Sequence, residues 1–266
     1  MSGPDFVDLA WRGAPLRIET QWVGDASSKI PPVVFLHEGL GSLAMWRDFP
    51  ADFCNRHGFH GLVFSRYGYG RSTPRPADER WAPDFMHAQA HEVLPALFAA
   101  LGIARPWLFG HSNGGSIALL YAARFAVAGL VVVAPHIFVE DLTIANIETA
   151  RRAYETTDLR ERLARYHADV DSAFFAWNDV WLDPAFRSWN IEAEIAAITC
   201  PVLAVQGVDD EYGTLAQIRG IAQRVPQTHL VALANCGHSP QRDQPERLSA
   251  EAGTFIKANS APQREH

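Results

Sequence analysis

The sequence predicts an α/β fold: a mainly parallel sheet flanked by helices, with a helical insertion. Three observations predict it. Short apolar runs alternate with longer helix-like patterns along most of the chain. The run Gly110-His111-Ser112-Asn113-Gly114-Gly115 joins a strand pattern to a helix pattern through a very sharp turn. Between two strand signals lies a helical, aromatic stretch over 137–190, too long for an ordinary connection.

The elements follow in order. Residues 6–23 read as two strands joined at Gly13-Ala14-Pro15, and 32–36 as a buried strand. Residues 43–57 read as the first helix, ended by Gly58. Residues 61–64 form a strand with a glycine-rich turn behind it. Residues 84–101 read as a helix capped by Asp84 or Pro83, kinked at Pro95 and stopped at Gly102. A strand ends at Phe109, and another over 128–134 is broken by Pro135. After the insertion come a strand from Val202, a helix over 215–224, a strand over 229–233 and a closing helix over 244–257. The tail after Ala258 is polar and expected to be loose. This divides the chain into a core, 1–136 with 191–266, and an insertion, 137–190.

Composition narrows the function. A chain of 266 residues with 48% hydrophobic content can bury one large core. A formal charge of −7 argues against nucleic acid or an anionic membrane as the main partner. Cys54, Cys200 and Cys236 are odd in number, widely spaced and without a metal pattern, so no metal or cofactor is expected. The first residues, Met1 to Phe6, carry no basic region and no apolar core, and no run of eighteen apolar residues exists. The expected location is therefore the cytoplasm. Oligomeric state is not readable from the pattern.

The chemistry centres on Gly110, Ser112 and Gly114, which form G-x-S-x-G. Such a turn exposes a serine hydroxyl, with glycines where neighbouring chain passes close. A hydroxyl is a weak nucleophile, so it needs a base, and the base needs an orienting acid. His238, in a Gly- and Pro-flanked loop after a strand pattern, is the candidate base. The candidate acids lie in Asp209-Asp210-Glu211, released where the apolar run Val202 to Gly207 ends. The chain order is serine, acid, histidine.

On these residues the chain resembles the α/β-hydrolase-fold superfamily, specifically serine esterases and lipases with a helical cap. The resemblance runs from about Trp11 to Lys257. It implies that Asp210, three residues after Gly207, is the acid, with Asp209 as the alternative. It implies oxyanion donors at the N–H groups of Asn113 and Gly39. Gly39 stands in His37-Glu38-Gly39-Leu40-Gly41-Ser42, which resembles the family's His-Gly-Gly-x-Gly loop but departs from it at Glu38. Glu38 is expected to face outward and pair with an arginine; the rival role is shaping substrate choice or positioning water. The segment from Ser65 to Ser72 resembles the family's Asp-x-x-Gly-x-Gly-x-Ser turn, with Ser65 in place of a structural aspartate, and no loss of chemistry is expected.

A cap over a cleft must present some face to substrate. Phe174, Trp177 and Trp181 share one helical face by spacing and, with His136 at a strand's carboxyl end, are the candidate substrate-binding residues. His87 and His91 are spaced i, i+4 but are read as a solvated helix face. Gly68-x-Gly70 lacks the third glycine of a dinucleotide loop, and Gly110 to Ser116 lacks the lysine of a phosphate loop.

The resemblance implies a serine hydrolase that cleaves a carboxylic ester of a small, largely apolar substrate through an acyl-enzyme. The alternatives are a C–C bond hydrolase, a lactonase or a thioesterase on the same triad, or a non-catalytic small-molecule receptor.

Overall fold

A computed structural model of the chain describes residues 4–76 and 78–260. The expectations for the first three residues and for the tail beyond Ser260 lie outside the described residues. Strands β1 (Asp5–Trp11) and β2 (Ala14–Gly24) form an antiparallel hairpin, and β2 also pairs antiparallel with β4 (His60–Phe64). The remaining pairings are all parallel. They join β4 and β3 (Val33–Leu36) to β5 (Trp107–His111), β6 (Gly129–Val133), β7 (Val202–Gly207) and β8 (Thr228–Leu233). The sheet order is β1-β2-β4-β3-β5-β6-β7-β8. β3, β5, β6 and β7 are buried along their whole length, which explains why they read as unbroken apolar runs.

Helices cover both faces: α1 (Phe49–His57), α2 (Phe85–Ala88), α3 (Leu94–Leu101), α4 (Asn113–Ala122), α5 (Asp141–Thr156), α6 (Leu159–Leu163), α7 (Val170–Leu182), α8 (Glu192–Ile195), α9 (Ala216–Arg224), α10 (Pro240–Asp243) and α11 (Pro245–Ser260). Helices α5 to α8 fill the interval between β6 and β7. The interval narrows at its ends: Ile191 N–H donates to the Ile137 carbonyl at 2.8 Å, and Phe138 bridges Asn190 antiparallel. Within it, Phe174 stacks on Tyr154 at 3.7 Å between ring centroids, and Trp181 meets Phe186 edge-on at 4.9 Å. Asp169 opens α7 by accepting a hydrogen bond from Ser172 N–H at 2.8 Å.

Three local expectations are corrected. The hairpin turns at Arg12-Gly13, not Gly13-Ala14-Pro15; both residues have positive φ, 50° and 79°, as a two-residue turn between right-twisted strands requires. Residues 43–57 are not one helix. A 3-10 turn at Ala44–Trp46 stops at Arg47, whose φ is 53°, and α1 begins only at Phe49. Residues 84–101 contain a π-helical turn at Gln89–Val93 between α2 and α3, and Asp84 makes no side-chain cap. Pro95 explains the wide turn, because it has no N–H to offer the carbonyl one turn back. Gly58 and Gly102 end their helices in the left-handed conformation, as expected.

Candidate active site

Ser112 sits between β5 and α4 at φ 53° and ψ −122°, a conformation costing about 1–3 kcal/mol for a non-glycine residue. Neighbouring chain enforces it. Ser112 N–H donates to the Val133 carbonyl at 2.8 Å, tying the turn to β6. A Cβ on Gly110 would collide with the Gly114 carbonyl, and one on Gly114 with the Leu36 carbonyl, so neither position admits a side chain.

Three side chains from three strand ends meet here. His238 Nε2 lies 3.0 Å from Ser112 Oγ, and His238 Nδ1 lies 2.8 Å from Asp210 Oδ1. A carboxylate can only accept, so Nδ1 carries the ring proton and Nε2 faces the serine as the acceptor. Burial opposes ionisation of Asp210. The hydrogen bond and charge of His238, with Tyr212 N–H at 2.8 Å and the Gln206 amide at 3.0 Å, more than offset it and hold the carboxyl below its usual range. Asp209, one residue earlier, is exposed. The His238 loop is itself fixed: its N–H donates to Glu211 Oε2 at 3.1 Å, and His111 Nε2 donates to the His238 carbonyl at 2.8 Å.

The loop after β3 faces the turn. His37 accepts from Arg66 N–H through Nε2 at 2.9 Å and donates through Nδ1 to the Glu38 carbonyl at 2.8 Å. Burial and the Arg66 charge push His37 well below its ordinary pKa, so it stays neutral in this tautomer. Arg66 Nη2 donates to the same Glu38 carbonyl at 2.8 Å. The backbone N–H groups of Gly39 and Asn113 reach no acceptor among the described residues. The missing Cβ of Gly39 is filled by the indole edge of Trp177, so the helical insertion packs directly on this loop.

Glu38 pairs at 3.5 Å with Arg242, as the sequence predicts, but it faces inward, lining the cavity above Ser112. That cavity is about 160 Å³ and is lined by Gly39, Asn113, His136, Trp177, Trp181 and Tyr212, among others. The structure therefore brings His136, Trp177 and Trp181 to the serine. It does not bring Phe174, which is fully buried against Tyr154. Burial pushes His136 down to about 3, and its Nδ1 has no partner among the described residues. Tyr212, Thr143, Ile147 and Arg242 also line the cavity and escaped the sequence reading. Of these only Tyr212, two residues after Asp210, carried a usable signal.

Away from the cavity, Ser65 finds its carboxylate elsewhere. Its Oγ donates to Glu19 Oε2 at 2.8 Å, and Arg71 N–H donates to the same oxygen at 2.9 Å. His87 and His91 are half-buried, not solvated: His87 meets Glu194 at 3.0 Å and His91 donates to the Leu120 carbonyl at 3.2 Å. Among the described residues no three His, Cys, Asp or Glu side chains converge as metal ligands, and no helix is long and apolar enough to cross a membrane.

A sheet of this order with a serine on a strained strand-to-helix turn defines a hydrolase of the α/β type. The sequence model of the alpha/beta hydrolase family matches residues 33–251, and the chain belongs to that family. Among curated proteins it is 26% identical over 245 residues to 2-succinyl-6-hydroxy-2,4-cyclohexadiene-1-carboxylate synthase of Salmonella typhimurium, covering 81% of this chain and 89% of that one. It is 27% identical over 213 residues to 2-hydroxymuconate semialdehyde hydrolase of Pseudomonas putida, covering 71% and 74%. Among solved structures, a carboxylesterase study of Nitrososphaera gargenis gives a fold match with TM-score 0.75 at 19% identity, covering 95% and 98%.

Proposed function

We propose that this hydrolase cleaves a carboxylic ester of a small molecule by nucleophilic attack of Ser112. One observation carries the reading: the unbroken hydrogen-bond path Asp210–His238–Ser112, at 2.8 and 3.0 Å, ending on a strained serine at a cavity wall. In this reading His238 takes the serine proton as Oγ attacks the carbonyl carbon, while Asp210 holds the tautomer and balances the imidazolium. The free N–H groups of Asn113 and Gly39 receive the oxyanion. His238 then protonates the leaving group, and water, activated by the same imidazole, hydrolyses the acyl-enzyme. Residues 137–190 act as the cap, with Trp177 and Trp181 as its substrate-facing wall and His136 facing them from the core. Phe174 is left as packing within the cap.

The test is turnover of a panel of short chromogenic esters. Ser112→Ala should lower kcat by roughly 10⁴ to 10⁶ without unfolding the protein. A serine-directed phosphonate should label Ser112 alone. Wild-type turnover by the alanine variant would end the proposal. A second reading is the same residues acting on a non-ester acyl compound. The similarity to 2-hydroxymuconate semialdehyde hydrolase favours it, and a panel extended to thioesters, lactones and β-diketones would reveal it.

A further inference from the structure

Arg242 borders three cavities, two of which concern the site. One is the serine cavity; the other, of about 410 Å³, has Arg47, Arg162, Arg165 and Tyr166 in its wall. Four arginines therefore line one concavity, and no Asp or Glu is among its lining residues. They come from three distant parts of the chain: Arg47 from the loop before α1, Arg162 and Arg165 from α6 and the turn after it, and Arg242 from α10. Arg162 is paired with Asp158 at 3.3 Å and Arg242 with Glu38 at 3.5 Å, while Arg47 and Arg165 have no ion-pair partner among the described residues. Asp48, Asp52 and Glu246 line a neighbouring cavity, which Arg47 and Arg242 also border.

This charge runs against the protein as a whole, which carries −7. Like charges gathered in a concavity repel one another, and they focus a positive potential into it. Arg47 reaches the cavity wall from a backbone at φ 53°, where strain of about 1–3 kcal/mol has to be supported by its surroundings.

We propose that this cavity is an anion-binding vestibule. It takes a carboxylate or phosphate tail of a substrate whose scissile carbonyl lies at Ser112, several bonds away past Arg242. The placement of the reacting end rests on the serine-hydrolase reading; the anion site does not. The substrate is thus an acyl compound with an anionic tail, which departs from the largely apolar ester that the sequence implies. Guanidinium forks suit both groups, since carboxylate and phosphate oxygens accept paired N–H bonds.

The test measures binding to Ser112→Ala protein by calorimetry, so that no turnover intervenes. One ester series carries an ω-carboxylate on the alcohol arm, a second carries it on the acyl arm, and a third replaces it with a phosphate. Each is compared with its neutral primary amide. An anionic ester in at least one arm should bind roughly tenfold tighter at low ionic strength, and the advantage should shrink as salt rises. Arg47→Gln/Arg165→Gln should erase it, whereas Arg47→Lys/Arg165→Lys should keep part of it, with circular dichroism confirming the fold of both. Equal affinity for charged and neutral esters in every arm would overturn the proposal, as would an advantage that survives the Gln pair. If the Ser112→Ala protein discriminates but the wild type hydrolyses none of these esters, the hydrolase reading falls and the vestibule stands.

Discussion

Glu38 Oε2 lies 3.5 Å from Nδ1 of His111, the residue immediately before Ser112. The family-like loop departs from its usual glycine at this position, and the departure brings a carboxylate against the serine turn. Burial opposes the Glu38 charge. The contact with His111 first, then the charge of Arg242, more than offset this and hold the carboxyl well below the usual carboxylate range. A carboxylate so occupied is partly neutralised before any oxyanion forms, which reconciles its inward position with an oxyanion site at Gly39.

A pH prediction follows from the sign of that shift. A carboxyl whose folded pKa is depressed stabilises the fold above its unfolded value and loses that contribution as pH falls. The unfolded value is 4.5. The Tm of the wild type should therefore exceed that of Glu38→Gln at pH 7, and the gap should close as pH falls below about 4.5. Thermal melts of both proteins from pH 7 down to pH 3 check this. A gap that is constant or widens toward acid would show that Glu38 is not held as an ion by its neighbours.

The two aspartates separate cleanly. Asp210 is buried on His238, Gln206 and the Tyr212 N–H, whereas Asp209 is exposed. Asp210→Asn should cost up to about 10⁴ in kcat, because an amide would favour the wrong imidazole tautomer. Asp209→Asn should stay within about twofold, like most surface substitutions. Steady-state kinetics on both variants decide it, and the reverse ranking would remove Asp210 from the triad.

How much of this was legible in the sequence depends on the range of the interaction. The order of strands and helices and the turn at Ser112 are local patterns, and the structure shows both. Asp210 and Asp209 differ only in which one the strand end turns inward, so the residues alone left both open and the resemblance chose. Arg47 and the π turn at Gln89–Val93 break otherwise regular helical patterns, which periodicity cannot foresee. Ser65 donating its hydroxyl to the Glu19 carboxylate is a contact across 46 residues, and Arg242 reaching Glu38 spans most of the chain. No spacing rule finds such pairs. Phe174 failed for a related reason: it shares a helical face with Trp177 and Trp181, but Tyr154 covers it from α5.

Gly39 and Trp177 offer a test of coupling between the insertion and the oxyanion loop. Gly39→Ala places a methyl group where the Trp177 indole edge now sits, so the loop or the indole must move. If the loop moves, its N–H leaves the oxyanion position, and kcat should fall by roughly 10² to 10³. Trp177→Ala in the same chain removes the obstructing atoms and should restore part of the loss. Kinetics of the two single variants and the double variant close the cycle. Strict additivity would mean that the contact does not position the loop.

His136 gives the last prediction, in which stability and activity move apart. Its imidazole is pushed down to about 3 by burial, is therefore neutral at working pH, and leaves Nδ1 without a partner among the described residues. A buried polar atom without a partner costs about 1–3 kcal/mol, a cost that an apolar ring of similar shape avoids. His136 packs edge-on to Trp181 at 5.0 Å, a contact that phenylalanine can keep. His136→Phe should therefore hold or raise Tm, by a few degrees at most for a chain of this size. If the imidazole faces substrate, as its place in the serine cavity wall indicates, kcat/KM should fall while Tm does not. Paired melts and kinetics check both halves. A clear drop in Tm with unchanged kcat/KM would assign His136 to packing alone and remove it from the substrate wall.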